Sequence, residues 1–236
     1  MTHESTAANT TRAWVDIDLG ALVRNGAALA RQAGVPLVPM VKADAYGLGA
    51  VPCARALEAL DPHGFGVATV REAEELRAGG IDRRVYVFSP LLPGDLAAVR
   101  AARAVPTLGD AAAIGAWTNG GGGAWHLAIE TGMHRAGVRW DDIGAVLDLV
   151  RDHPPEGAFT HFHSAERNDG SWQLQEQRFR EALRALPAQP KYLHTQNSAG
   201  IVRRAPSPWS FVRPGVFLYG VGSGDGAALQ PEAVVH

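Results

Sequence analysis

The sequence predicts an α/β fold and, within that class, a (β/α)8 TIM barrel. Three observations predict it. Short β-type runs alternate with longer stretches of helical period, eight such runs can be counted, and 236 residues suit one compact barrel. Strict alternation favours a parallel sheet, because parallel strands need crossover helices. A doubly wound open sheet is the competing architecture, but it needs fewer strands and usually a glycine-rich first turn.

A leading strand, Trp14 to Asp18, and a helix come first, within "AWVDIDLGALVRNGAALARQAG". The barrel then opens with "VPLVPMVKA", followed by helical "AVPCARALEAL". "GFGVAT" precedes "VREAEELRAGG", "RVYVFSP" precedes "PGDLAAVRAA", and "AVPTL" precedes "DAAAIGAW". The glycine-rich "NGGGGA", residues 119–124, is a flexible connector to the fifth run. "WHLAIET" pairs with "WDDIGAVLDLV", "AFTHF" with "WQLQEQRFREALRAL", and "KYLHTQ" with "SAGIVRRA", before "FVRPGVFLYG" closes the series. Residues 1–12 read as a disordered polar tail, 13–220 as the barrel domain, and 221–236 as a linker leading into the start of another strand.

Composition excludes several classes. Apolar residues make up 46% and charged residues 19%, ordinary for a folded domain. A formal net charge of −2 gives no basic face for nucleic acid and no polybasic membrane patch. The first twelve residues lack the apolar core of a signal peptide, and no apolar stretch approaches the roughly 20 residues of a membrane span. Cys53 is alone, which rules out an internal disulfide and suits a reducing compartment, so a cytoplasmic location is expected.

Lys42 stands out because lysine is rare here: of 22 basic residues only Lys42 and Lys191 are lysines. A lysine can lose its proton and attack a carbonyl, whereas arginine stays charged. At the end of a barrel strand, where such folds keep their chemistry, Lys42 is a Schiff-base candidate. The alternative is a surface lysine with its stem laid along the fold.

The context of Lys42, "VKADAYGLG", closely resembles the pyridoxal-phosphate attachment segment of alanine racemases, usually read V-K-A-N-A-Y-G-H-G. "WVDIDLGALVRN", "HLAIETGMHRAG", "THFHSAE", "HTQNSAG" and "VRPGVFLYG" resemble further segments of that family in the same order. The resemblance implies a pyridoxal 5′-phosphate enzyme interconverting L- and D-alanine for cell-wall precursors, with Lys42 as the catalytic lysine joined to the cofactor. It implies that Tyr46, Ser198 and the backbone of Gly215 and Val216 hold the phosphate, with Asn197 beside it. For "NSAG" a helix cap is an equally good reading, compatible with the first. Arg213 would face the pyridine nitrogen and, being unable to give up a proton readily, leave it unprotonated. His161 would lie between Arg213 and the ring, and Arg135 would help place the substrate carboxylate.

Two positions depart from the family pattern: Ala128 stands where many members carry a carbamylated lysine, and Leu48 where histidine is usual. The histidines of "HFH", with His126 and His194, make a weak metal signal because no carboxylate or cysteine sits at ligand spacing, so no metal is expected. The family's second, mostly β domain and its partner-subunit tyrosine have no counterpart in this sequence. "PEAVVH" resembles the start of that domain, and "AWVDIDL" would then lie with unpaired backbone and exposed Trp14, Val15 or Ile17. A truncated racemase with little or no activity alone, forming a homodimer at full length, is the reading this favours. A single-domain pyridoxal-phosphate carrier and a related barrel enzyme acting on another amino acid are the alternatives.

Overall fold

The computed structural model describes residues 13–204, 206–224 and 226–236. The expected polar tail at 1–12 lies outside the described residues. Six strands form a parallel sheet: β1 (Phe65–Val67), β2 (Val85–Val87), β3 (Val105–Leu108), β4 (His126–Glu130), β6 (Gly157–Phe159) and β7 (Tyr192–His194), in that spatial order. A two-residue strand absent from the sequence expectation, β5 (Val138–Arg139), pairs with β4 off this path.

Backbone bonds carry the sheet round from its last segment to its first. Extended residues 36–41 pair with β1 through Gly66 N to Pro39 O and Val41 N to Gly66 O, both 2.8 Å. On their other side Val38 N donates to Val212 O and Met40 N to Pro214 O, both 2.8 Å. Residues 210–213 in turn reach the β7 side, through Ser210 N to Leu193 O at 2.8 Å and Arg213 N to Gln196 O at 2.9 Å. The first and last strand-like runs therefore make isolated bridges, Leu37 to Val212 and Met40 to Gly66, rather than full strands. The "VFLY" half of the last run is not extended: Val216–Tyr219 is a 3₁₀ turn ended by Gly220 at φ 92°. A short apolar run buried on all sides gives no period by which turn and strand can be told apart.

Helices pack on the outside of the sheet. The first, α1 (Leu19–Ala33), starts at Asp18, whose carboxylate accepts from Ala21 N at 2.9 Å, and stops at Gly34 with φ 69°. Its Leu22 and Leu29 are fully buried against the main core, which lies between sheet and helices. Each such leucine contributes about 1.5–3 kcal/mol. Among the described residues no helix is long and apolar enough to cross a membrane.

Trp14 to Asp18 does not lie unpaired. Asp18 N donates to Val234 O at 2.8 Å, and Asp16 and His236 exchange two bonds at 3.0 Å, so residues 16–18 and 234–236 form a short antiparallel pair. Trp14 and Val15 remain exposed, at 71% and 59%.

A second, smaller core fills the inside of the curled sheet, from Val38, Tyr86, Val105 and Phe211 with Phe88 and Tyr192 against them. Two fully buried histidines share this space. Arg213 Nη1 donates to His194 Nδ1 at 2.6 Å, and His194 Nε2 lies 2.8 Å from His126 Nδ1. A guanidinium only donates, so His194 must carry its hydrogen on Nε2 and pass it to His126 Nδ1. Both rings are neutral: burial pushes His126 down to about 3 and His194 well below the ordinary 6.5, with the Arg213 charge adding to both.

Two outcomes follow. A Cβ added at Gly157 would run into the His126 ring, so Gly157→Ala should destabilise the fold by about 1–3 kcal/mol in urea unfolding. An unchanged midpoint would mean that the ring is free to move. The two histidines are neutral when folded and titrate near 6.5 when unfolded, so the unfolded chain binds more protons below that pH. Their contribution to stability is full above about 6.5 and falls as pH drops, towards 3 for His126, by up to about 1.4 kcal/mol per pH unit for each histidine. Urea midpoints between pH 7 and pH 5 measure this, and His126→Asn should flatten the fall.

Candidate active site

The parallel strands share one direction, so the loops after them gather at one end, and a cavity of about 620 Å³ opens there. Lys42 follows the segment that closes the sheet. Val41 is buried and bonded to β1, so the next side chain emerges at the rim, where Lys42 lines the cavity. The chain then makes an unusual turn. In α2 (Lys42–Gly47) the residues Ala43, Asp44, Ala45 and Tyr46 have φ between 52° and 58° and ψ between 31° and 49°, a left-handed helical turn built without glycine. Left-handed backbone costs L-residues roughly 1–2 kcal/mol each, so the surroundings must hold it. Ala45 N bonds Val41 O, and Asp44 Oδ1 accepts from Ala50 N at 2.6 Å, capping α3 (Ala50–Leu57). Ala43 N donates to Glu72 at 2.8 Å.

The turn brings Tyr46 back over the cavity. Its ring centroid lies 5.8 Å from Lys42 Nζ and 4.8 Å from the Tyr219 ring, whose hydroxyl donates to Met40 O. Gly215 lies beneath the Tyr46 hydroxyl, and a Cβ there would stand 2.6 Å from that oxygen. Ser198 Oγ accepts from Gly215 N at 2.9 Å and Phe217 N at 3.4 Å, which leaves its own hydrogen for another acceptor. Val216, with Gly215, Ser198, Tyr46 and Asn197, lines the same cavity. Asn197 takes the helix-capping role: its Oδ1 accepts from Gly200 N at 3.0 Å at the start of α9 (Ser198–Arg203), and its Nδ2 donates to Phe162 O.

Arg213 is buried on the cavity wall with no carboxylate bonded to it. Its Nη2 donates to Thr160 O and Thr195 O at 2.9 and 3.1 Å, and its Nη1 to His194. Three of its five N–H donors are thus engaged, and two remain. Burial, aided by the Arg135 charge, lowers its pKa to about 9, so it stays charged at neutral pH. His161 lines the cavity too, and burial together with the charges of Arg213, Arg135 and Lys42 lowers it to about 3, which keeps it neutral. Strand β6 stops at Phe159, so His161 and His163 do not share a strand face as alternation would suggest; His163 turns outward to Ser164.

Arg135 reaches the cavity from the loop between β4 and β5, where the Glu130 carboxylate accepts from Gly132 N and Arg135 N. Ala128 also lines the cavity, whereas Leu48 does not: it packs against the main core. Among the described residues no set of three His, Cys, Asp or Glu side chains could hold a metal ion. His194, legible in sequence only as a weak metal candidate, is instead the hydrogen-bond partner of Arg213. Glu72 stands out in sequence only through the capping pattern T-x-x-E at 69–72, which gives no sign of its bond to Ala43.

Comparison with known proteins bears on this arrangement. A family model described as alanine racemase, N-terminal domain, matches residues 17–223. The alanine racemase of Staphylococcus carnosus is 32% identical over 225 residues, covering 88% of this chain and 56% of that protein. The crystal structure of alanine racemase from E. faecalis superposes with a TM-score of 0.86 at 27% identity, over 94% of this chain and 64% of that one. The alanine racemase of Bartonella henselae, solved with covalently bound pyridoxal phosphate, gives 0.84 at 25% identity over 94% of this chain and 64% of its own. The chain thus spans about three fifths of the length of these relatives, and over that span it belongs to the family of alanine racemase N-terminal domains.

Proposed function

We propose that this chain is the cofactor-binding part of a pyridoxal 5′-phosphate-dependent amino-acid racemase acting on alanine, with Lys42 as its catalytic lysine. In the same reading the curled sheet is a (β/α)8 barrel of residues 13–220, and two copies of the complete enzyme associate as a homodimer. The observation that carries it is the meeting of Lys42, Tyr46, Ser198, Arg213 and Gly215 around one cavity.

The donor set suits the cofactor. Phosphate needs several N–H and O–H donors at close range. The hydroxyls of Tyr46 and Ser198 and the Val216 backbone would supply them, Gly215 N–H would join them by giving up its bond to Ser198 Oγ, and the missing side chain of Gly215 leaves the cradle that a Cβ would fill. Arg213, with two donors to spare, suits a ring nitrogen that accepts a hydrogen bond. When bound, the cofactor would supply an electrophilic carbon for the amino group and an electron sink that acidifies the α-hydrogen.

The chain's own residues would do the rest. Lys42 Nζ, as a free amine, would take or return the α-proton on its face of the substrate. Arg213 would hold the ring nitrogen with its spare N–H donors while keeping its own proton. Neutral His161 adds no charge beside it. Arg135 attracts the substrate carboxylate, and Ala128 leaves room next to it.

Borohydride reduction in the presence of pyridoxal 5′-phosphate, followed by peptide mapping, should label Lys42 and spare Lys191, and Lys42→Ala should remove the label. A label on Lys191, or none, overturns the reading. Alanine incubated with the loaded protein in deuterium oxide should exchange its α-hydrogen, as followed by proton NMR. Retention of that hydrogen with cofactor on Lys42 would show that this part of the enzyme holds the cofactor without removing the α-proton.

A further inference from the structure

We infer that Glu72 is a positioning residue for Lys42, its carboxylate clamping the peptide from which the lysine side chain projects. The inference rests on the proposed role of Lys42. Glu72 belongs to α4 (Val70–Ala78), where it completes a capping box with Thr69: Glu72 N donates to Thr69 Oγ1 at 3.3 Å, and Thr69 N donates to Glu72 Oε2 at 3.1 Å. A capping box needs one acceptor oxygen from its glutamate. Here Oε2 also accepts from Ala68 N at 2.6 Å, and the second oxygen, Oε1, leaves the helix and accepts from Ala43 N at 2.8 Å.

That last bond falls on the peptide unit that joins Lys42 to Ala43. Of the other anchors, Ala45 N to Val41 O holds the peptide before Lys42, while Gly49 N to Asp44 O and Ala50 N to the Asp44 carboxylate act further along. Ala43 is exposed, so without Glu72 its N–H would turn to water and the peptide on the C-terminal side of Lys42 would lose its anchor. A side chain as long as lysine magnifies small backbone rotations at its root, and catalytic positioning tolerates only fractions of an ångström. The residue type fits this double duty. A carboxylate offers two acceptor oxygens, whereas glutamine offers one oxygen and sets an N–H₂ donor against a second N–H. A helix cap alone accepts either residue.

Two variants separate positioning from helix stability. Glu72→Gln should expose the Ala43 amide, seen as faster hydrogen exchange by NMR, and weaken pyridoxal 5′-phosphate capture, followed by absorbance titration, about tenfold. Thr69→Ala breaks the same capping box from the other side and should lower the melting temperature comparably. It should leave Ala43 protected and cofactor affinity within about twofold of wild type. Ala43 still protected in Glu72→Gln, or equal weakening in both variants, overturns the inference. If Glu72→Gln does not fold, Glu72→Asp, which keeps the charge but shortens the reach, takes its place with the same expectations. Wild-type protein that protects Ala43 yet captures no cofactor would sink the proposed function and leave the clamp supported by exchange.

Discussion

Backbone pairing on both sides of residues 36–41 is the constraint on which the site depends. One side of this segment bonds Gly66 and the other bonds Val212 and Pro214, so the first and last parts of the sheet are tied together through it. Lys42 follows directly, and Arg213 lies across from it between the two bonded carbonyls. Proline is tolerated at 214 because only its carbonyl is used, accepting from Met40 N. Residues about 170 apart in sequence thereby face one cavity, and neither would be held there if the sheet stayed open.

Arg213 is the costly member of this arrangement. Burying a guanidinium without a carboxylate is unfavourable, and breaking its hydrogen bonds would be worse. The fold answers with two carbonyls and a neutral imidazole, all of which accept without cancelling the charge. An aspartate in place of His194 would stabilise the arginine and also neutralise it. The choice of acceptor therefore leaves the Arg213 charge uncancelled by its own partners, on a cavity that Lys42 and Arg135 line together with Asp110, Glu130 and Glu166. An anionic ligand that binds only the folded state would stabilise the fold by relieving the repulsion between Arg213 and Arg135.

Much of the fold is legible in the sequence because β-type runs and helical periods alternate, and six of the eight runs contain the parallel strands of the sheet. What is not legible has physical reasons. "VFLY" is apolar throughout, so nothing in its pattern separates a buried strand from the 3₁₀ turn it forms. The pairing of β5 arises where Gly137 packs against the backbone of β4, a contact with no local signature. The left-handed turn after Lys42 uses Ala, Asp, Ala and Tyr, of which only Asp adopts positive φ with any ease. At the site, the residue types were legible through "KADAYG" and "NSAG". The partners that aim them, His194 for Arg213 and Glu72 for Ala43, come from other elements and are fixed only by tertiary structure.

The chain contains its own comparison for why one lysine and not the other suits chemistry. Lys191 immediately precedes β7, whereas Lys42 immediately follows residues 36–41, which lie one segment further round the closed path, beyond residues 210–213. In a parallel sheet those two positions lie at opposite ends. Lys191 is exposed and faces the Tyr192 ring, 4.9 Å from its amine, and its bond to Tyr192 holds its pKa above the ordinary lysine value. It keeps its proton and lies outside the residues that line the cavity. Lys42 reaches the end where Arg135, Arg213 and His161 converge. Residue type makes both lysines candidates, and strand direction separates them, so the sheet's topology decides which amine can reach an electrophile.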